Sequence, residues 1–176
     1  MEKNKILQSE KLHEGRIFDL SQRRVLLPNG EESIRDVIEH NGAAAIIAVT
    51  DEGKLVMVRQ YRDGPEAVLL EIPAGKLDPG EDPQTCALRE LAEETGYRAG
   101  KIKKLFDMYP VAAYCSEQIT IYLAEDLTLG ATNLDAGEFV EIELFSLTEL
   151  LKMIDNNELK DMKTILGILY YWRLSQ

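Results

Sequence analysis

A glycine- and proline-rich loop running straight into an acidic helical segment, between Gly75 and Gly96, constrains this 176-residue chain more than any other feature. Pro73 to Pro83 holds too many turn-formers to continue a strand or a helix. Pro83 suits the first turn of a helix, and Gly96 is a natural stop, so the pattern predicts a helix over 83–95. On a helical wheel Ala87, Leu88, Leu91, Ala92 and Thr95 fall to one side, and Glu90, Glu93 and Glu94 to the other. Carboxylates at i, i+3 and i+4 are spatial neighbours and repel one another. Only Arg89 offsets them, from the edge of that face. A solvated acidic surface is the plain reading of such a run. A bound divalent cation is the other, because hard cations take oxygen ligands and Mg²⁺ is held by a few carboxylates together with substrate phosphates.

The flanking segments supply the frame. Arg24 to Leu27 leads into the turn signal Pro28-Asn29-Gly30, and the chain resumes from Ser33 to Glu39, a small antiparallel unit within residues 5–40. It holds few large apolar side chains and must pack on something to be stable. Ala43 to Thr50 is a continuous apolar run, Asp51-Glu52-Gly53 is a turn, and Lys54 to Tyr61 is a second strand, so the two read as a hairpin in a buried sheet. Further strands are expected at 69–72, 103–108, 118–125 and 139–145. Ser146 and Glu149 form a capping box that opens a helix. A last helix, Asp161 to Arg173, has an apolar face of Ile165, Leu166, Ile168, Leu169 and Trp172. The fold class is α/β (α+β): a mixed sheet with helices on its faces, in residues 42–176, preceded by the β unit of residues 1–41.

Charge and composition exclude some functions. The net charge is −11, and a protein that holds long nucleic acid needs a basic surface to displace counterions. A small anionic ligand remains open, since a bound metal reverses the sign locally. Two cysteines, Cys86 and Cys115, form no disulfide framework and no metal-ligand spacing. The N-terminus lacks a signal-peptide core, and the longest apolar stretch is far too short for a bilayer. A cytoplasmic protein without membrane or nucleic-acid partners is expected.

Gly75, Glu81, Arg89, Glu90, Leu91, Glu93, Glu94 and Gly96 stand in the register of the Nudix box, and the chain resembles the Nudix hydrolases. Tyr97 departs from the pattern at its final, tolerant position. Arg59-Gln60-Tyr61-Arg62, Glu71-Ile72-Pro73-Ala74-Gly75-Lys76-Leu77 and Glu138-Phe139-Val140-Glu141 are similar to the ADP-ribose pyrophosphatase branch, and the likeness covers nearly the whole chain. It implies a sheet sandwiched between helices, with the box as a loop–helix–loop. It implies that Glu90, Glu94 and the Ala74 carbonyl hold Mg²⁺ (or Mn²⁺), that Glu93 stands beside them, and that Arg89 orients the glutamates, with Glu81 as its partner. Glu138 is implied as either the base that activates water or another metal ligand. Arg62 is implied at the diphosphate or terminal ribose, and Glu71 and Glu117 near the substrate.

The same resemblance implies that residues 1–41 build a domain-swapped homodimer. The small-molecule substrate is then ADP-ribose or a related ADP-sugar, split to AMP and a sugar phosphate. One departure keeps a second branch open. ADP-ribose enzymes carry proline, glycine and phenylalanine where this chain has Ala112, Ala113 and Tyr114, with a proline two residues earlier at Pro110. GDP-mannose and other nucleotide sugars are therefore alternative substrates, and a nucleotide sensor without catalysis is a third reading.

Overall fold

The apolar run near residue 45 becomes a strand buried on both faces. In the computed structural model, which describes residues 2–133 and 139–176, this is the strand Ala43–Ala48, and every residue after Ala43 is buried. Counting from the N-terminus, the strands are β1 (Lys5–Glu14), β2 (Asp19–Leu26), β3 (Glu32–Glu39), β4 (Ala43–Ala48), β5 (Lys54–Arg62), β6 (Ala67–Glu71), β7 (Ala74–Lys76), β8 (Tyr97–Met108), β9 (Ile119–Leu129) and β10 (Val140–Ser146). The helices are α1 (Pro83–Thr95), between β7 and β8, then α2 (Leu147–Asp155) and α3 (Met162–Leu174). By internal contacts the chain falls into two units, Met1–Gly42 with Tyr109–Gln118, and Ala43–Met108 with Ile119–Gln176.

In the smaller unit β1, β2 and β3 form an antiparallel sheet in chain order. The β2–β3 hairpin closes where the turn residues stand: Gly30, at φ 87°, donates its N–H to the Leu27 carbonyl at 3.0 Å. Burial here is sparse; β1 is exposed along its whole length. The segment 109–118 is stitched to the end of β3. The Ile38 N–H donates to Tyr114 O at 2.8 Å, and Ser116 N–H donates to Ile38 O at 2.9 Å.

The larger unit holds two sheets, ordered β10-β5-β6 and β7-β4-β9-β8. Here the expected hairpin is corrected. The turn forms, with Gly53 N–H donating to Thr50 O at 2.8 Å, but a single bridge, Val49 to Leu55, follows it. β4 pairs in parallel with β9 and antiparallel with β7, whereas β5 pairs with β10 and β6. Hydropathy marks a buried strand but not its partners, and each of these strands has better ones than the other. β7 itself lies inside the segment that the sequence reads as loop.

The two faces of β4 serve two cores. Ala45 and Ile47, with Val49 just past the strand's end, join Leu55, Met57, Ile72, Ile121, Leu150 and Ile168 on one side. Ala44, Ile46 and Ala48 meet Cys86, Ala87 and Leu91 of α1 on the other. The small side chains at 44, 48 and 87 let α1 lie close to the sheet. Its ends are fixed by local chemistry. The Asp82 carboxylate accepts from the N–H groups of Gln84 and Thr85, Pro83 stands in the first turn, and Gly96 closes the helix at φ 74°.

α2 begins with the expected capping box between Ser146 and Glu149. α3 bears out Ile165 and Ile168 of the expected face, which pack in the core, and corrects the rest. Thr164, Gly167 and Ile168 are buried, whereas Leu166, Leu169 and Trp172 are exposed. The helix is apolar nearly all round, so hydropathy alone selects no side. Gly167 selects it: even a methyl group there would stand 3.4 Å from the Ile47 and Ile72 side chains, so this face approaches the sheet most closely.

Candidate functional site

α1 and the chain leading into it carry a dense charge cluster of the larger unit. Asp78 and Glu81 close a turn, with Glu81 N–H donating to Asp78 O at 2.9 Å and Asp78 N–H donating to the Glu81 carboxylate at 3.0 Å. That turn presents the Glu81 carboxylate to Arg89, which grips it with Nε and Nη2 at 3.0 and 2.9 Å. Nη1 of the same guanidinium donates to Glu90 at 2.7 Å and to Glu93 at 2.9 Å, and Nη2 reaches the Lys76 carbonyl at 3.3 Å. One cation therefore holds three carboxylates and a backbone oxygen. Arg89 itself is held protonated well beyond the ordinary arginine range, by Glu81 above all. The hydrogen bond from Arg89 holds the Glu81 carboxyl down at about 2.

Glu94 corrects the wheel reading. It is buried, 3% exposed, on the face with Ala87, Leu91 and Thr95. Its angular position lies between the acidic arc and the apolar one, and the close fit of α1 to β4 and β7 draws it inward. There its carboxylate accepts the Ala74 N–H at 3.2 Å. Glu90 lies directly against the Gly75 backbone, where any β-carbon would overlap its carboxylate. The pairing of Ala74 and Gly75 with Ala45 and Ala44 sets that backbone in place. Cys86 lies beneath the loop, with its thiol donating to Gly75 O at 3.5 Å. Burial pushes this thiol up to about 12, so it is a neutral packing group.

A divalent cation suits these residues. Glu90 and Glu94 are hard oxygen donors crowded with the Ala74–Gly75 backbone, and Gly75, lacking a side chain, leaves the room that the Glu90 carboxylate occupies. Among the described residues no three His, Cys, Asp or Glu side chains are grouped as a metal-ligand set. Glu81, Glu90 and Glu93 are turned onto Arg89 instead.

The remaining sequence candidates fall in different places. Arg62, at the end of β5, makes a bidentate pair with Glu71, Nε to Oε1 at 2.8 Å and Nη2 to Oε2 at 2.9 Å. Glu71 is 1% exposed. Burial drives its pKa upward, but Arg62 and Lys163 outweigh that and hold it at about 2. Lys163 is a member of this cluster that pattern reasoning missed, because a lone lysine at the start of an apolar helix carries no motif. Glu117 lies in the smaller unit, its carboxylate 3.8 Å from His40 Nδ1. Glu138 lies outside the described residues. No helix among the described residues is long and apolar enough to cross a membrane.

The NUDIX domain model matches residues 39–165. An ADP-ribose pyrophosphatase of Bacillus subtilis (strain 168) is 43% identical over 168 residues, 94% of this chain and 91% of its own. A methanol dehydrogenase activator of Bacillus methanolicus is 41% identical with the same coverage. A GDP-mannose pyrophosphatase of Citrobacter koseri is 34% identical over 152 residues, 77% of this chain and 79% of its own. Among solved structures, an ADP compounds hydrolase superposes with a TM-score of 0.86 over 99% of this chain and 95% of its own, at 23% identity.

Proposed function

This chain belongs to the NUDIX family and is a hydrolase; from that premise we propose that it cleaves the diphosphate bond of ADP-ribose or a related ADP-sugar in a Mg²⁺-dependent reaction. The single observation that carries the reading is the convergence of Glu90 and buried Glu94 on the Ala74–Gly75 backbone, with Arg89 tying the neighbouring carboxylates together.

Glu90, Glu94 and the Ala74 carbonyl would hold Mg²⁺, with Mn²⁺ able to replace it. When bound, such an ion polarises phosphoryl oxygens and lowers the pKa of a neighbouring water. Glu93 or Glu138 takes the proton from the attacking water, provided that it comes within hydrogen-bond reach. Arg89 keeps the glutamates in register through its fork of N–H donors. Arg62 binds the diphosphate, and Glu71 supports substrate binding from beneath it. Water splits ADP-ribose into AMP and ribose 5-phosphate.

A second substrate reading rests on two observations. Ala112, Ala113 and Tyr114 replace the residues expected of ADP-ribose enzymes, and the GDP-mannose pyrophosphatase of Citrobacter koseri covers most of the chain. The test is phosphate release, with phosphatase added, from a panel of ADP-ribose, ADP-sugars and GDP-mannose in Mg²⁺. Fastest turnover of ADP-ribose supports the first reading, and a preference for GDP-mannose supports the second. Ligand binding without turnover on any of them would overturn the assignment in favour of a sensor.

We also propose a cytoplasmic homodimer. Two free cysteines suit a reducing compartment. The exposed apolar residues Ile6, Leu12, Ile17, Phe18 and Ile34 suit burial against a second copy.

A further inference from the structure

The cluster around Glu71 is built with more care than a structural ion pair needs. Glu71 is buried and charged, and burying a carboxylate is costly unless it is paired and hydrogen-bonded. Here two cations share it, Arg62 through both carboxylate oxygens and Lys163 through Oε2. Lys163 also reaches Asp161 at 3.0 Å. Asp161 caps α3, accepting from Thr164 N–H at 2.9 Å and from its hydroxyl at 2.6 Å. The Thr164 hydroxyl in turn accepts the Ile72 N–H at 2.9 Å. Two residues further on is Ala74, whose N–H donates to Glu94. The start of α3 is thus tied both to the end of β5 and to the backbone that carries the proposed metal ligand.

Replacing such a buried ion cluster by apolar side chains is often neutral or stabilising, so stability alone is a weak reason to build one. The exposure of its members gives a better reason. Glu71 and Lys163 are nearly closed off, with side chains 2% and 12% exposed, whereas Arg62 is 37% exposed. Glu71 takes the Nε and Nη2 edge of the guanidinium, which leaves the Nη1 edge for another acceptor.

We propose that Lys163 is a positioning residue for substrate: through Glu71 it fixes the Arg62 guanidinium, so that the outer edge of Arg62 meets a phosphate of the nucleoside diphosphate in one orientation. This rests on the function proposed above. Glu71 then acts behind Arg62 and does not touch substrate. A flexible arginine fixed before binding loses less entropy on meeting its phosphate, which lowers KM.

The test is a double-mutant cycle on the full chain with Mg²⁺ and ADP-ribose, or with GDP-mannose if the wild type prefers it. Lys163→Met raises KM by about tenfold and leaves kcat within about twofold, because ground-state and transition-state binding are lost together. Arg62→Ala raises KM further. Adding Lys163→Met to Arg62→Ala changes KM by less than about twofold, since the lysine works only through the arginine. Lys163→Arg keeps the charge and restores KM to within about threefold of wild type.

Should Lys163→Met fail to fold, Lys163→Gln takes its place in the same cycle, with thermal unfolding as the control. An unchanged KM in the lysine variants of an active enzyme overturns the proposal, and so do KM effects that multiply in the double mutant. A wild type inert on the whole panel overturns the function itself, which is a different result.

Discussion

Gly75 and Glu90 share one small space in the loop that leads into α1. The sequence places Gly75 in a motif register, and the structure supplies the cause: the Glu90 carboxylate fills the space of the missing side chain. Gly75→Ala should displace the whole Glu90 side chain, since a β-carbon would overlap its carboxylate and stand 2.5 Å from its Cγ. We expect kcat/KM to fall by about 10- to 100-fold, as misplaced catalytic groups do; steady-state kinetics check this.

Glu71 gives a pH signature. Its folded pKa of about 2 lies below the ordinary 4.5, so its pairing contributes full stability above about pH 4.5. That contribution is lost as the pH falls towards 2. Urea unfolding across this window should show a shallower acid loss in Glu71→Gln than in wild type. Glu94 marks the limit of reading at this scale. Its identity as an acid of the helix was plain, but its burial depended on how α1 seats against the sheet.

Elements were legible where local chemistry fixes them. Pro83 and Gly96 bound α1, the Ser146–Glu149 box opens α2, and Gly30 closes the β2–β3 turn. Partners were not legible. β4 and β5 are both recognisable as strands yet pair away from each other, and their burial pattern contains no record of neighbours. The inner face of α3 was legible only at Ile165 and Ile168; Gly167 and Thr164, which set the rest of it, carry no hydropathy signal. Thr164 lends this helix a specific attachment, since its buried hydroxyl is the acceptor for the Ile72 N–H. Thr164→Val keeps the shape and removes the oxygen. It should cost about 1–3 kcal/mol, the price of a buried donor left unpaired, measured by chemical denaturation.

At the scale of the molecule, the acidic net charge of −11 is consistent with a hydrolase whose ligand arrives with a divalent cation. The assignment of residues 109–118 to the unit of β1–β3 was not legible, as it depends on backbone hydrogen bonds to Ile38 across a long sequence gap. The exposed apolar side chains of that unit lead us to expect a dimer; light scattering on the purified protein should give the mass of two chains, and a monomer at micromolar concentration would refute it.

The proposed reaction requires Glu94, with Glu90, to hold a divalent ion on which diphosphate cleavage depends. Its most direct test is AMP release from ADP-ribose across a Mg²⁺ titration, comparing wild type with Glu94→Gln. We expect saturable Mg²⁺ activation in the wild type and a loss of at least about 100-fold in the variant, in line with losing a group that acts in the transition state. Turnover independent of Mg²⁺, or a Glu94→Gln variant as active as wild type, would contradict the account.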